Sequence, residues 1–193
     1  MKIQFLLAAS LLSLNVHASD SPFYLGVGVG ETDFDDGGWA EKESDPIWSD
    51  TDGQTYKVYG GFKLNQNIGF EGQYTNYADT VYRSLKHAGK VTATLASYSL
   101  AANVGYQFNI GIRPFVIVGL GMVDLQASSP GGGSNDEQEA LMRLGAGVEY
   151  THPALRQVTF RLAYEKDEFD ITYRGVTESY SVASAYLGAS FNF

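Results

Sequence analysis

The sequence predicts an all-β protein, an eight-stranded antiparallel up-and-down transmembrane β-barrel. Three observations support this prediction. Apolar side chains alternate with small or charged ones from about residue 23 to residue 193, the N-terminus resembles an export leader, and short and long connections follow one another regularly. Successive side chains of a strand point to opposite faces of a sheet. The chain therefore consists of strands that each have one apolar face and one polar or narrow face.

The N-terminus has the features of a secretory signal peptide. An apolar stretch at 3–16 follows Lys2, and the tripeptide Val-His-Ala then gives a small-x-small cleavage pattern. We expect residues 1–18 to be the signal peptide and 19–193 to be a single barrel domain. Beyond the leader, the longest purely apolar or glycine run is 115–123, which is too short for a spanning helix. A closed barrel is then the remaining way to cross a bilayer.

Eight strands are predicted, each delimited by its alternation and by flanking turn residues. They are placed at 23–31, 54–64, 68–77, 91–108, 112–125, 138–150, 158–169 and 180–193. The fifth strand has the weakest pattern, because 113–118 is apolar on both faces around Pro114. Long connections at 32–53, 78–90, 126–137 and 170–179 alternate with short turns such as Asn65 to Asn67. This spacing is typical of bacterial transmembrane barrels, with long extracellular loops and with both termini on the periplasmic side.

Charged residues indicate which face of the strands points outward. In 140–150, Arg143 and Glu149 alternate with a wholly apolar set. A soluble small barrel would fill its inside with the bulky apolar set, so charges on the opposite face predict an apolar exterior in lipid. The predicted lipid-facing residues are Phe23, Leu25, Val27, Val29, Tyr56, Val58, Phe62, Leu64, Ile68, Phe70, Tyr74, Tyr98, Leu100, Ala102, Val104, Tyr106, Val116, Val118, Leu120, Met122, Ala140, Met142, Leu144, Ala146, Val148, Tyr150, Val158, Phe160, Leu162, Tyr164, Ala183, Ala185, Leu187, Ala189, Phe191 and Phe193. Seven aromatics are expected to form a girdle at the periplasmic rim: Phe62, Phe70, Tyr106, Tyr150, Phe160, Phe191 and Phe193.

The same register places charged side chains inside the barrel, among most of the glycines. Buried charges are tolerated only when they are paired or hydrated. The candidates for interior ion pairs are Lys57, Glu71, Arg143, Glu149, Arg161 and Glu165, and Lys63 is placed with them. We hypothesise a salt-bridged plug rather than an open pore. The alternative is a gate, in which an exchange of ion-pair partners opens a narrow conductance.

The polar segments exclude some functions and leave others open. The net charge of −9 argues against nucleic acid as a partner. The acidic segment 32–53 lacks the twelve-residue calcium-loop pattern, so a solvated loop is favoured over a calcium site. His87 has Ser84 and Asp79 nearby in sequence, but no spacing supports a catalytic triad. We therefore expect no catalytic residue, no metal and no cofactor.

Four stretches resemble the small OmpA-like outer-membrane β-barrel domains. They are FYLGVGVG (23–30), YKVYGGFKLNQNIGFEGQYTNY (56–77), RPFVIVGLGM (113–122) and SAYLGASFNF (184–193), and the resemblance covers nearly all of the mature chain. It implies charged pairs inside the barrel and a C-terminal signal that the barrel-assembly machinery reads during insertion. The residues that match this signal are Phe193, Phe191, Ala189 and Leu187. Full-length OmpA also has a peptidoglycan-binding domain, which the sequence lacks after the barrel, so a wall-anchoring role is not implied.

Family membership of this kind indicates a location more firmly than a task. The leading hypothesis is a non-enzymatic outer-membrane protein whose barrel is a scaffold and whose acidic outer loops contact the cell's surroundings. Its expected partners are outer-membrane lipids and the assembly machinery. A narrow channel for ions or small solutes is the second hypothesis, and a lipid-modifying enzyme is the third. A soluble ligand-carrying barrel is the structural alternative.

Overall fold

Ten β-strands make up the regular structure. The computed structural model describes residues 21–35, 47–84, 90–128, 134–173 and 176–193. The strands are β1 (Phe23–Asp35), β2 (Ile47–Asp52), β3 (Thr55–Lys63), β4 (Ile68–Asn76), β5 (Asp79–Ser84), β6 (Lys90–Gly105), β7 (Ile112–Ser128), β8 (Ser134–Thr151), β9 (Val158–Tyr173) and β10 (Val176–Asn192). Among these residues no helix has the length and apolar character needed to span a membrane.

Eight of the strands close into a ring. Each of β1, β3, β4, β6, β7, β8, β9 and β10 pairs antiparallel with its neighbours in that order, and β10 pairs with β1 to complete the circuit. The two further strands stand outside the ring, since β5 pairs with β6 and β2 pairs with β5. The predicted eight-stranded antiparallel barrel is confirmed.

The pairing register determines the stagger of the barrel. A path from Leu25 through the paired residue on each successive strand returns to β1 at Asp35, ten residues further along. A barrel with this stagger has strands tilted by roughly 40° and an interior that side chains can fill. Residues paired across strands therefore climb steadily from the short-turn end to the long-connection end.

The strands are longer at the long-connection end than predicted, so the predicted loops contain regular structure. The segment 32–53 includes the end of β1 and all of β2, and 78–90 includes β5. Likewise β7 and β8 extend into 126–137, and β9 and β10 extend into 170–179. The sequence criterion failed here because outward residues become polar beyond the ring of apolar outward side chains, as at Asp33 and Asp170, while backbone pairing continues.

Towards the long connections, beyond the ring of outward apolar side chains (the belt), the barrel wall splits into two sheets. β8 and β9 are paired only as far as Leu141 and Phe169, and β1 and β3 only as far as Gly30 and Thr55. One sheet continues as β9, β10 and β1, and the other continues as β2, β5, β6, β7 and β8. Between them lies a buried apolar layer that consists of Tyr77, Ala93, Leu95, Val123, Leu141, Phe169 and Val182.

The apolar face of the barrel points outward. Val148, Phe160 and Leu187 are 43%, 50% and 64% exposed, whereas Arg143 and Glu71 are buried. This arrangement is the reverse of a soluble ligand-carrying barrel, whose apolar residues would lie inside. Ala183 is an exception within the predicted lipid-facing set. It is only 4% exposed, because its short side chain lies between Lys166 and Asp33 on the neighbouring strands.

Candidate functional site

The barrel interior contains two clusters of ion pairs. The cluster nearer the short turns, here the lower cluster, consists of Glu71, Arg113, Glu149 and Arg161. Arg161 donates to both oxygens of Glu71, from Nη1 at 2.9 Å and from Nη2 at 2.7 Å. It also donates from Nη2 at 2.7 Å and from Nε at 3.1 Å to Oε1 of Glu149. Arg113 completes the cluster with a 3.0 Å bond to the other oxygen of Glu149.

Arg113 also fastens the lower cluster to the turn between β3 and β4. Its Nε and Nη2 donate to the carbonyl oxygens of Gln66 and Asn67, each at 3.1 Å. Inside the same turn, the Asn65 side-chain oxygen accepts bonds from the backbone amides of Asn67 and Ile68. An asparagine that bonds its own following backbone is a common turn device. The interior charges thus help to hold one of the short turns in place.

The second cluster, here the upper cluster, lies further from the short turns and consists of Lys57, Arg143, Glu165 and Asp167. Lys57 Nζ is 2.8 Å from Glu165 Oε2. Arg143 donates from Nε and from Nη2 to the two oxygens of Asp167, at 2.6 Å each. Arg143 also donates to the hydroxyls of Ser97 and Ser99. All four charged side chains are fully buried, so they depend on one another for the stabilisation that water would give.

Tyrosine side chains connect the charges and fill the space between the clusters. Tyr24 donates to Glu71 at 2.6 Å, and Tyr77 donates to Asp167 at 2.6 Å. The Tyr186 hydroxyl donates to Glu165 at 2.5 Å and accepts a bond from Arg161 at 3.3 Å, so it links the upper cluster to the lower one. The guanidinium of Arg161 also lies 4.2 Å from the ring centre of Tyr59, within the range of a cation–π contact.

Glycines in the inward set give these large side chains room. A Cβ atom at Gly145 would come within 2.6 Å of Glu165 Cγ and 2.8 Å of Ile117. Separations below about 3 Å are not adopted by real side-chain carbons, so any larger residue at Gly145 would displace the upper cluster. The predicted alternation of small and long inward residues therefore has a direct steric basis.

The apolar layer covers the upper cluster at the long-connection end. Leu141 and Phe169 lie two residues beyond Arg143 and Asp167 on the same inward face, and both are at most 4% exposed. Partly buried Phe34, Leu125, Ile171 and Tyr180 pack against this layer. From the short turns to the long connections, the interior formed by the described residues therefore contains the lower cluster, the tyrosines, the upper cluster and then the apolar layer.

The six predicted ion-pair candidates all lie in this interior, three in each cluster. Two charged partners were not predicted. Asp167 follows Glu165 by two residues and shares its face, so the alternation contained a signal for it. Arg113 was missed because its strand is apolar on both faces in sequence, whereas pairing with β8 places it opposite Glu149. The apolar layer was also missed, because the predicted inward set was treated as polar or small.

Other predicted sites lie partly or wholly outside the described residues. The signal peptide at 1–18, His87, and residues 36–46 of the acidic segment 32–53 fall there. Asp79 is described, and it accepts a 2.8 Å bond from Thr94. Within the described part of the chain, no group of three or more His, Cys, Asp or Glu side chains could hold a metal ion.

Leu187, Ala189 and Phe191 of the predicted assembly signal lie in β10, and Phe193 directly follows that strand. Leu187 and Phe191 are exposed on the outer face, and Ala189 and Phe193 are partly exposed. The rings of Phe191 and Phe193 meet edge to face, with centroids 5.4 Å apart. The predicted aromatic girdle at the short-turn rim includes this pair and also Phe62, which contacts Phe23 with centroids 5.1 Å apart.

Comparison with known proteins is consistent with the geometry. The model of the outer membrane protein beta-barrel domain family matches residues 5–193. Neisserial surface protein A is 14% identical, with a TM-score of 0.61, and the match covers 90% of this chain and 98% of that one. Ail, the attachment invasion locus protein of Yersinia pestis, is 15% identical, with a TM-score of 0.57 and coverage of 91% and 100%. The N-terminal β-barrel domain of Pseudomonas aeruginosa OprF is 17% identical, with a TM-score of 0.54 and coverage of 91% and 100%.

At these identities the solved structures establish the fold alone, whereas the family match spans nearly the whole sequence. Among curated protein sequences no significant match is found. The predicted resemblance to OmpA-like outer-membrane barrel domains is confirmed, and the outer membrane is the location that the family supports. The chain belongs to the outer membrane protein beta-barrel domain family.

Proposed function

We propose that this protein is a non-enzymatic outer-membrane scaffold, whose sealed barrel carries acidic extracellular segments that contact the cell's surroundings. One observation carries the proposal: ion-paired side chains and an apolar layer occupy successive levels of the described interior. In the two clusters each of the four carboxylates lies within 3.0 Å of a cation, and the apolar layer lies over the upper cluster. A filled interior leaves the outer end as the surface available for function.

The long-connection end of the barrel, here the outer end, has the features of a contact surface. Outward residues of β1 and β9 change there from apolar to charged, as at Asp33, Glu168 and Asp170. A cleft of about 650 Å³ opens where β8 and β9 separate, and both Met142 and Lys166 line it. The segment 32–53 alone contains eight carboxylates and one lysine. These features support contacts made through acidic, partly apolar surfaces outside the membrane.

A narrow channel is the competing function, and the interior favours it less. Water and ions would have to pass the apolar layer, and hydrocarbon constrictions exclude water even where they are wide enough to admit it. An ion would also have to displace partners in both clusters, where the loss of one partner leaves a buried charge uncompensated. The described interior therefore supports a scaffold over a conducting pore.

Surface proteolysis of intact cells tests the proposed orientation. Trypsin is expected to cut after Lys42, Lys86 and Arg174 in the outer connections. Arg156 serves as the matched internal control, since it is exposed in a short turn that should face the periplasm. Cleavage at Arg156 in intact cells, together with protection of Lys42, would overturn the orientation.

Replacement of the acidic segment tests the role itself. A variant with 36–46 replaced by an equally long glycine–serine sequence should keep the heat-dependent gel shift of a folded barrel but lose binding of cells to host or abiotic surfaces. The matched control replaces the short turn 153–156, at the opposite end, in the same way. Equal adhesion of the two variants would contradict a contact role for the acidic segment, and planar-bilayer conductance by the unmodified protein would favour the channel.

A further inference from the structure

We propose that the short-turn rim binds a phospholipid, with its phosphate between Lys63 and Arg156 and one acyl chain in a groove over Gly60 and Gly72. The inference goes beyond the scaffold role. It rests on that proposal only for the choice of membrane leaflet. If the short turns face the periplasm, their rim contacts the phospholipid leaflet of the outer membrane.

The polar half of the site is a cavity of about 750 Å³ beneath the start of β1. Two short turns and the end of β10 line it with side chains that can donate hydrogen bonds: Lys63, Asn65, Gln66, Arg156, Gln157 and Asn192. No Asp or Glu side chain lines the cavity. Lysine and arginine are common phosphate ligands, and amide groups can add further donors. The chemistry of the lining therefore suits an anion.

Lys63 and Arg156 differ from the other cations of the described structure, because neither is held in a short ion pair, although the charge of Lys63 also acts on Glu149. Lys57, Arg113, Arg143, Arg161 and Lys166 each form an ion pair with a carboxylate. Lys63 instead donates to Asn192 Oδ1 at 2.9 Å and lies over the ring of Tyr24. Neither Lys63 nor Arg156 has an ion pair with a carboxylate of the described residues. Both cations therefore remain available to a phosphate.

The apolar half of the site is a depression of about 750 Å³ in the outer wall. Gly60 on β3 and Gly72 on β4 are directly paired, and they are the outward-facing glycines of the described barrel strands. Leu25 and Leu100 lie on either side of them in the same paired row. A glycine inside a strand gives up side-chain packing, and it often marks the close approach of another molecule to the backbone.

Position favours a lipid chain as the occupant of this depression. The surrounding residues belong to the lipid-facing belt, where Phe70 is 55% and Leu100 is 77% exposed. The depression is therefore continuous with the surface that hydrocarbon already covers. Phe62 lines both the depression and the polar cavity, and Lys63 follows it in the chain. One molecule with a phosphate and an acyl chain can thus occupy both halves, which a soluble anion cannot do.

Photolabelling in lipid nanodiscs tests the site. The probe is a phosphatidylglycerol with a diazirine on its acyl chain, diluted into phosphatidylethanolamine, and labelled residues are mapped by mass spectrometry. Labels should concentrate on β3 and β4 rather than on β8. Gly72→Leu should remove the enrichment, while Ala146→Leu, its control on the exposed face of β8, should not. Lys63→Gln and Arg156→Gln should each lower it about fivefold, the scale expected for one cation near an anionic lipid. Lys166→Gln should leave it unchanged.

Several results would overturn the proposal. They are an even distribution of labels around the lipid-facing residues, labelling that neither cation variant changes, or displacement of the labelled lipid by inorganic phosphate. The last result would indicate a site for a soluble anion. Protein–protein crosslinks centred on Gly72 would assign the groove to a second copy instead. The heat-dependent gel shift of each variant reports folding, so loss of the barrel is not mistaken for loss of the site. Surface proteolysis tests the orientation separately, so failure of the lipid site leaves the scaffold proposal intact.

Discussion

Replacement of Arg161 by glutamine should destabilise the barrel more than any single change at its outer surface. Arg161 is 2% exposed and donates four hydrogen bonds to Glu71 and Glu149. Arg161→Gln removes the charge from between two buried carboxylates. Glu71 keeps its bond from Tyr24, and Glu149 keeps Arg113. Removal of one partner from a buried ion pair costs about 3–5 kcal/mol, and we expect a loss in this range.

The measurement is urea unfolding in lipid vesicles, followed by the difference in gel mobility between folded and unfolded barrel. Lys166→Gln provides the matched control. The ion pair of Lys166 with Glu168 is also short, at 2.8 Å, but its side chains are 40% and 45% exposed. Exposed pairs contribute about 0–1 kcal/mol. Both substitutions remove one positive charge from ion pairs of similar length, but Arg161 is buried and bonds two carboxylates, whereas Lys166 is exposed and bonds one.

A second substitution separates the pair energy from general damage. In the double variant with Glu71→Gln, the carboxylate that lost its partner is removed too. The double variant should therefore be less destabilised than the sum of the two single variants. If Arg161→Gln costs no more than Lys166→Gln, or if Arg161→Gln and Glu71→Gln are additive, the interior ion pairs do not stabilise the barrel.

Three further outcomes are expected. Leu141→Ala, which opens space in the apolar layer, should lower the free energy of unfolding by about 2–5 kcal/mol in the same urea assay, against a smaller loss for the exposed Leu187→Ala. Arg143→Gln should leave planar-bilayer conductance at the background level, because the apolar layer stays in place; a rise in conductance would favour the gate. Deletion of Phe193 should reduce the fraction of protein that reaches the heat-modifiable form in cells, while deletion of Ser21 should not, and equal assembly of the two would contradict an assembly signal at the C-terminus.

The eight barrel strands and their faces could be predicted because the bilayer imposes a simple rule on the sequence. Every spanning strand must present an apolar face to the hydrocarbon of the lipids. Apolar side chains therefore recur at every second residue wherever the strand lies in lipid. Leu25, Val27 and Val29 alternate with glycines in this way in the first strand. Beyond the belt the rule no longer applies, since water accepts either kind of side chain. The outer ends of the strands and the strands β2 and β5 were missed for this reason.

Partners inside the barrel were harder to predict than faces. Alternation tells which residues point inward, and distance from the short turns placed Glu71 and Arg161 at similar heights, but the stagger of ten residues decides which inward residues meet. Glu71 and Arg161 are 90 residues apart in sequence and face each other across the interior from strands that are not paired. Only the closed register brings them together. Arg113 shows the same limit, since its role depends on β8 and on a turn that contacts it from the other side.

The arrangement of charge separates the inside of the barrel from its outer end. Among the described residues, the two interior clusters contain four cations, at positions 57, 113, 143 and 161, and four carboxylates, at 71, 149, 165 and 167, so their net charge is zero. The chain as a whole has a net charge of −9, and eight acidic residues fall in 32–53 alone. The excess negative charge must then lie outside the interior, and largely at the long-connection end. Fields from exposed charges extend about 8 Å at physiological salt. A molecule that approaches the long-connection end therefore meets acidic segments, while the ion pairs inside act on one another and hold the wall closed.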